Sequence, residues 1–231
     1  MSASASSTVS QAKVVKIHED ADVILEVYQI TKKHVENKYE ETKHPVHLHV
    51  NKKALIEIPR LSKDYGTTFK AMFDHARFRE ADQNIIKLEK DDPKGLELAL
   101  RLFSAEGVPA SFTRTVKVED LWEFASVCDF RNIDCRGKKA QEWFEKWYEI
   151  CAENVKKTYM HNNEYLAGYR VLLWPTWFFD HAKGFTEVTK HLAYNAIGHV
   201  EALNPTKHHN IQFPNRISCK LSRFSRTRLS D

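Results

Sequence analysis

The stretch from Thr68 to Phe103, TFKAMFDHARFREADQNIIKLEKDDPKGLELALRLF, sets the tightest limits on what this chain can fold into. Phe69, Met72 and Phe73 share one side of a helical turn. A charged loop follows, then the strand-like Ile85-Ile86-Lys87-Leu88. Asp91-Asp92-Pro93 opens a helix, because an aspartate can accept from the free first-turn amides and proline suits the first helical position. Leu96, Ala99, Leu100 and Phe103 form the apolar stripe of that helix, which is expected to end near Gly107. No step in the stretch sets a nucleophile beside a base, gathers metal ligands or builds a phosphate-cradling glycine loop. It reads as a scaffold that displays a surface.

Around it the pattern is mixed. Ala21 to Tyr28 is rich in β-branched residues and predicts a strand; Pro45 to Val50 predicts its partner, with Val46, Leu48 and Val50 on one face and His47 and His49 on the other. Thr31 to His44 is polar and charged, which predicts an exposed hairpin loop. Ala54 to Ile58 is apolar and is broken by Pro59. Further on, Val116-Lys117-Val118 predicts a short strand or extended link. Leu121, Trp122, Ala125 and Cys128 predict a second helix, and Ala140, Trp143, Phe144, Trp147 and Tyr148 a third over about 136–157. Asn163 to Trp174 and His181 to Asn195 are again helical in pattern, with Pro175, Gly184 and Asn204-Pro205 read as turns.

With 231 residues and 42% hydrophobic content, the chain can bury a real core in one or two domains. No apolar run approaches the roughly 20 residues of a membrane span; the longest, Val171 to Phe179, contains Pro175. The start, MSASASSTVSQ, lacks the basic and apolar segments of a secretory signal. Residues 1–19 are expected to form a disordered leader. Four cysteines without C-x-x-C pairing predict reduced thiols in the cytoplasm or nucleus. Lys207, Arg216, Lys220, Arg223, Arg226 and Arg228 face only Asp231 in the tail, so positions 1–206 hold 29 basic and 30 acidic residues. The basic excess is thus a property of 206–231. Such a tail can touch nucleic acid, although a short solvated end is the commoner case.

The order of these elements resembles a BTB/POZ domain. The resemblance rests on Ala21-Asp22-Val23-Ile24-Leu25, Phe69-Lys70-Ala71-Met72-Phe73, Phe78-Arg79-Glu80, Ile86-Lys87-Leu88 before Asp91-Asp92-Pro93, and Leu121-Trp122-Glu123-Phe124-Ala125 running to Asp129. Leu172 to Phe179 and Phe185 to Lys190 are similar to the helical extension of stand-alone fungal BTB proteins. The resemblance implies an α+β fold, a small sheet flanked by α-helices over 20–150. A helical C-terminal extension over 151–205 and a loose basic tail follow. It implies a non-enzymatic module for protein–protein interaction with no cofactor: self-association, or an adaptor tying a partner to a cullin ubiquitin-ligase scaffold. Phe78, Arg79 and Glu80 match the loop that contacts the cullin in that family. Val14, Val15 and Ile17 occupy the region that family dimers use, without the usual leucine-rich helix. Asn51 replaces the family's more frequent histidine or serine, and the interval from Leu55 to Phe69 is longer than usual. Two other classes stay open: a chromatin scaffold whose basic tail contacts nucleic acid, and a small enzyme with its site between the halves.

Three further groups bear on chemistry. His44, His47 and His49 could supply part of a zinc or copper site, but the usual ligand spacing is absent and polar-face histidines are the simpler reading. Cys128 falls on an apolar helix face, as a core residue would. A Cys–His nucleophile using His161 or His181 would need a placement that no motif supplies. Trp143, Phe144, Trp147, Trp174, Trp177, Phe178 and Phe179 fit a core or an inter-half seam better than a ligand pocket.

Overall fold

A computed structural model of the protein describes residues 12–35, 38–59, 67–73, 83–160, 165–196, 200–206, 214 and 219. Within them the chain is mixed α and β, with a small open sheet and eight helices. The first strands are β1 (Lys13–Lys16), β2 (Val23–Val35) and β3 (Lys38–Val50). Two short helices, α1 (Lys52–Ile56) and α2 (Thr68–Met72), precede β4 (Ile85–Leu88). The sheet order is β1-β3-β2-β4: β2 and β3 pair antiparallel, β1 lies parallel to β3, and β4 parallel to β2. Period-two alternation puts Leu25, Val27, Val46, Leu48, Val50, Ile86 and Leu88 on the inner face, all buried.

Two expectations for this region need correction. The polar stretch from Thr31 to His44 is not a loop, because β2 and β3 stay paired as far as Val35 and Lys38. Thr31 stands opposite Thr42, Lys32 opposite Glu41 and Lys33 opposite Glu40, and Lys32 forms an ion pair with Glu41. Cross-strand pairs of opposite charge stabilise this ribbon, whose residues 31–34 and 40–43 are exposed. Residues 12–19, expected within a disordered leader, are placed in the fold. Lys13–Lys16 is a strand, Ile17 N–H donates to His49 O at 3.0 Å, and Ile17 is buried in the core; residues 1–11 lie outside the described residues.

Several of the helices start at a capping side chain. Asn51 Oδ1 accepts from Ala54 N–H at 3.1 Å, so the departure at Asn51 still caps a helix. Thr67 Oγ1 accepts from Lys70 N–H at 3.2 Å. Asp92 Oδ1 accepts from Lys94 and Gly95 N–H, each at 2.8 Å, and opens α3 (Pro93–Phe103). This helix stops short of Gly107, since Ser104 takes an extended backbone and its Oγ accepts from Gly107 N–H at 3.2 Å. The one-turn α4 (Ala110–Thr113) leads through an extended Val116-Lys117 to α5 (Val118–Arg131). A Cβ on Gly95 would stand 2.6 Å from the Glu123 carbonyl carbon, so α3 meets α5 backbone to backbone.

The remaining helices are α6 (Lys138–Tyr159), α7 (Ala167–Phe178) and α8 (Ala182–Asn195). The boundary expected at 150 lies inside α6, which runs through it unbroken. Pro175 does not turn the chain; it sits within α7, where the Thr176 hydroxyl donates to Leu172 O at 2.9 Å and Leu173 O at 3.1 Å. Gly168 allows α7 to approach α6, as a Cβ there would come within 2.6 Å of the Lys156 backbone. Phe179 stacks on Phe144 (4.4 Å between centroids) and Phe124 (5.8 Å), and meets Trp143 and Phe178 edge-on. Trp122 stacks on Trp174 at 4.3 Å. Apart from the half-buried Trp177, the aromatic group is core. No described helix is long and apolar enough to cross a membrane.

Asp91 and Arg131 form a buried pair: Nε to Oδ1 is 3.0 Å, and Nη2 also donates to Oδ2. The guanidinium lies over Phe69 at 5.5 Å and Phe130 at 5.0 Å. It thus joins α2, the start of α3 and the end of α5. Asp91→Ala leaves this cation unpaired in the core, and urea denaturation is expected to show a loss of about 3–5 kcal/mol. Phe179→Ala is expected to cost about as much, by the cavity it opens among four aromatic rings.

Candidate interaction surfaces

Phe78, Arg79 and Glu80 lie outside the described residues; the elements before and after them in the chain, α2 and β4, are described. The helix α2 ends at Met72, whose Sδ is 3.9 Å from Arg131 Nη1, and the chain returns through β4. Arg131 is held by Asp91, and its neighbour Phe130 is 55% exposed. Lys90, Asp92, Glu123, Asp129 and Phe130 line a shallow cleft of about 260 Å³ at the same corner. An exposed aromatic ring beside carboxylates suits recognition of another polypeptide. The sequence reading missed Phe130. Its signal was a large apolar residue off the stripe of Leu121, Ala125 and Cys128.

The structure divides Val14, Val15 and Ile17 by strand alternation. Ile17 is core, Val15 packs against the core, and Val14 is 61% exposed on the outer face of the edge strand β1. Only Val14 of the three is placed to meet another molecule.

His44, His47 and His49 do not converge. Alternation along β3 puts His44 on the opposite side from His47 and His49. His44 Nε2 lies 3.1 Å from Thr31 Oγ1, while His47 Nε2 lies 2.9 Å from Glu26 Oε2. Among the described residues no group of three or more His, Cys, Asp or Glu is arranged to hold a metal ion. The Tyr28 hydroxyl also donates to Glu26, and Lys87 Nζ stands 3.6 Å away. The Tyr28 hydrogen bond, helped by His47 and Lys87 and opposed by burial, holds the Glu26 carboxyl below its ordinary value. Tyr28 in turn is pushed up to about 12. This polar cluster forms the centre of the sheet's outer face.

Cys128 and Cys135 are both buried, and burial followed by the Cys135 thiol pushes the Cys128 thiol well up. A thiol so shifted is a poor nucleophile. His161 lies outside the described residues. His181 caps α8: its Nδ1 accepts from Gly184 N–H at 3.2 Å, with the ring against Phe144 and Tyr148. On the same helix Glu187 binds the buried Lys156 and accepts from the Tyr148 hydroxyl at 3.2 Å; Lys156 also donates to Glu153 at 2.6 Å. Burial works to lower Lys156, but the two carboxylates outweigh it and its value is raised.

A second surface escaped the sequence reading. The turn after α3, helix α4 and one side of α6 enclose a groove of about 470 Å³. Leu102, Thr113 and Trp143 form its buried floor, and Trp143 Nε1 donates to Thr113 Oγ1 at 3.1 Å. The floor's polar atoms therefore satisfy one another. The aromatic stripe of α6 is legible in the sequence; the charges beside it carry no signal of their own, because charged residues are the ordinary content of an exposed helix face. No family model matches the chain, and neither the curated proteins nor the solved structures give a match to it.

The pH dependence of stability follows from these contacts. Burial lowers His181 and His191 below their ordinary 6.5, so folding favours the neutral rings. The stability they supply is complete above about pH 6.5 and is lost as pH falls from there toward the lowered folded values. Glu26 and Glu153 are lowered from 4.5, so their contribution is present above that value and declines below it. Urea midpoints are expected to fall in two stages on acidification. In His181→Asn, which keeps a capping acceptor without a titrating ring, the upper stage should shrink.

Proposed function

We propose that this chain is a BTB/POZ-type protein-interaction module that associates with itself and recruits a partner to a cullin ubiquitin-ligase scaffold, without catalysis of its own. The observation that carries the reading is the succession of elements. The hairpin β2–β3 is followed by α2 with Phe69 and Met72, then by β4 laid parallel to β2. Asp92 then caps α3, which packs on α5 through Gly95. These elements fall in the order and at the residues on which the resemblance to that family rests. Met72, Arg131 and the exposed Phe130 form a corner at the end of α2, the element that precedes Phe78, Arg79 and Glu80 in the chain.

In this reading Phe78 is the apolar anchor, Glu80 orients the partner, and the extension α7–α8 braces the platform from behind. The place of work is the cytoplasm or nucleus. Affinity purification of the tagged full chain from cells tests it: cullin should co-purify with the wild type, and Phe78→Ala should reduce that capture at least tenfold while circular dichroism stays unchanged. Equal capture by both proteins, or none by the wild type, overturns the adaptor role.

A further inference from the structure

The side of α6 that walls the groove carries four charges of alternating sign: Lys139, Glu142, Lys146 and Glu149. All four residues are exposed. The facing wall is built from the small residues Ala105, Gly107, Val108 and Ala110, which leave room for close approach of another backbone. Ile150 stands 47% exposed at the far end.

The charges are antisymmetric about one point. Lys139 lies as many residues before Phe144 as Glu149 lies after it, and Glu142 as many before as Lys146 after. A two-fold axis at the level of Phe144 would set an antiparallel copy of α6 with every lysine opposite a glutamate. A parallel copy in register would oppose like charges. Two-fold symmetric contacts of this self-complementary kind are the commonest route to a homodimer. We infer that the groove along α6 receives the α6 of a second copy of this chain, antiparallel, in a two-fold dimer.

This inference rests on the reading of the chain as a self-associating module and names the surface it would use. The ion pairs select orientation and register more than they add affinity, because exposed pairs are weak. Affinity comes from excluding water over the still-accessible Ala105, Val108, Ala110 and Ile150. The same symmetry lays Ile150 of each copy along the aliphatic stem of Lys138 in the other. Lys138 lies 3.5 Å from Glu142 within its own helix, and neither Lys138 nor Glu145 lines the groove.

Light scattering on the full chain tests the dimer. The wild type is expected at twice the chain mass. Lys139→Glu with Lys146→Glu makes the stripe wholly acidic, and Glu142→Lys with Glu149→Lys makes it wholly basic; each double variant should run as a monomer. Mixed in equal amounts, the two should restore the dimeric mass as a heterodimer. If the variants fail to fold, carbodiimide coupling of the wild type reads the same contact. Lys139 and Glu149 are about 15 Å apart on one helix, so a zero-length link between them must join two copies. A monomeric wild type, double variants that stay dimeric, a mixture that stays monomeric, or no such link in coupled wild type each overturns the inference. Dimeric double variants that still capture cullin would place self-association elsewhere and leave the module reading intact. Loss of cullin capture by a wild-type dimer would do the reverse.

Discussion

The fold depends on the packing of aromatic rings where α5, α6 and the end of α7 converge. Phe179 lies between Phe144 and Phe124, with Trp143 and Phe178 against its edge. Rings of this size bury much of the apolar area available to a small protein, and offset or edge-on packing favours a single arrangement over a fluid one. Through it the extension α7–α8 becomes part of the same core as the helices that back the sheet. The indoles extend the hold to the loops, since Trp147 Nε1 donates to Val116 O at 2.9 Å and Trp143 to Thr113.

A second constraint acts at the corner opposite. Arg131 and Asp91 are removed from water as a bidentate pair, and the guanidinium also lies over two phenylalanines. A buried pair adds less net stability than its Coulomb attraction suggests, but it tolerates very few arrangements. The cleft at this corner and the groove along α6 have no lining residue in common.

Local chemistry made much of this legible. The Asp92-Pro93 start of α3, the alternation of Val46, Leu48 and Val50, the strand at Ile85–Leu88 and the aromatic stripe of α6 are all signalled within a few neighbouring residues. What could not be read depends on residues distant in sequence. The polar arm around Lys32 becomes strand because Glu41 stands across from it, and β1 becomes strand because β3 offers it an edge. Pro175 stays inside a helix because the packing of Trp174 and Phe178 on either side keeps that turn in place.

The same division governs function. The amino-acid order alone determined that the chain has apolar residues for a mixed α and β core, and it specified caps, stripes and turns, because these are set by backbone geometry over one or two helical turns. Only tertiary structure decided which of those residues face outward. It sent Ile17 inward and Val14 outward, separated His44 from His47 and His49, and turned Lys139, Glu142, Lys146 and Glu149 into the wall of a groove. Exposure is a property of what packs alongside a residue, and that neighbour is chosen by the whole chain.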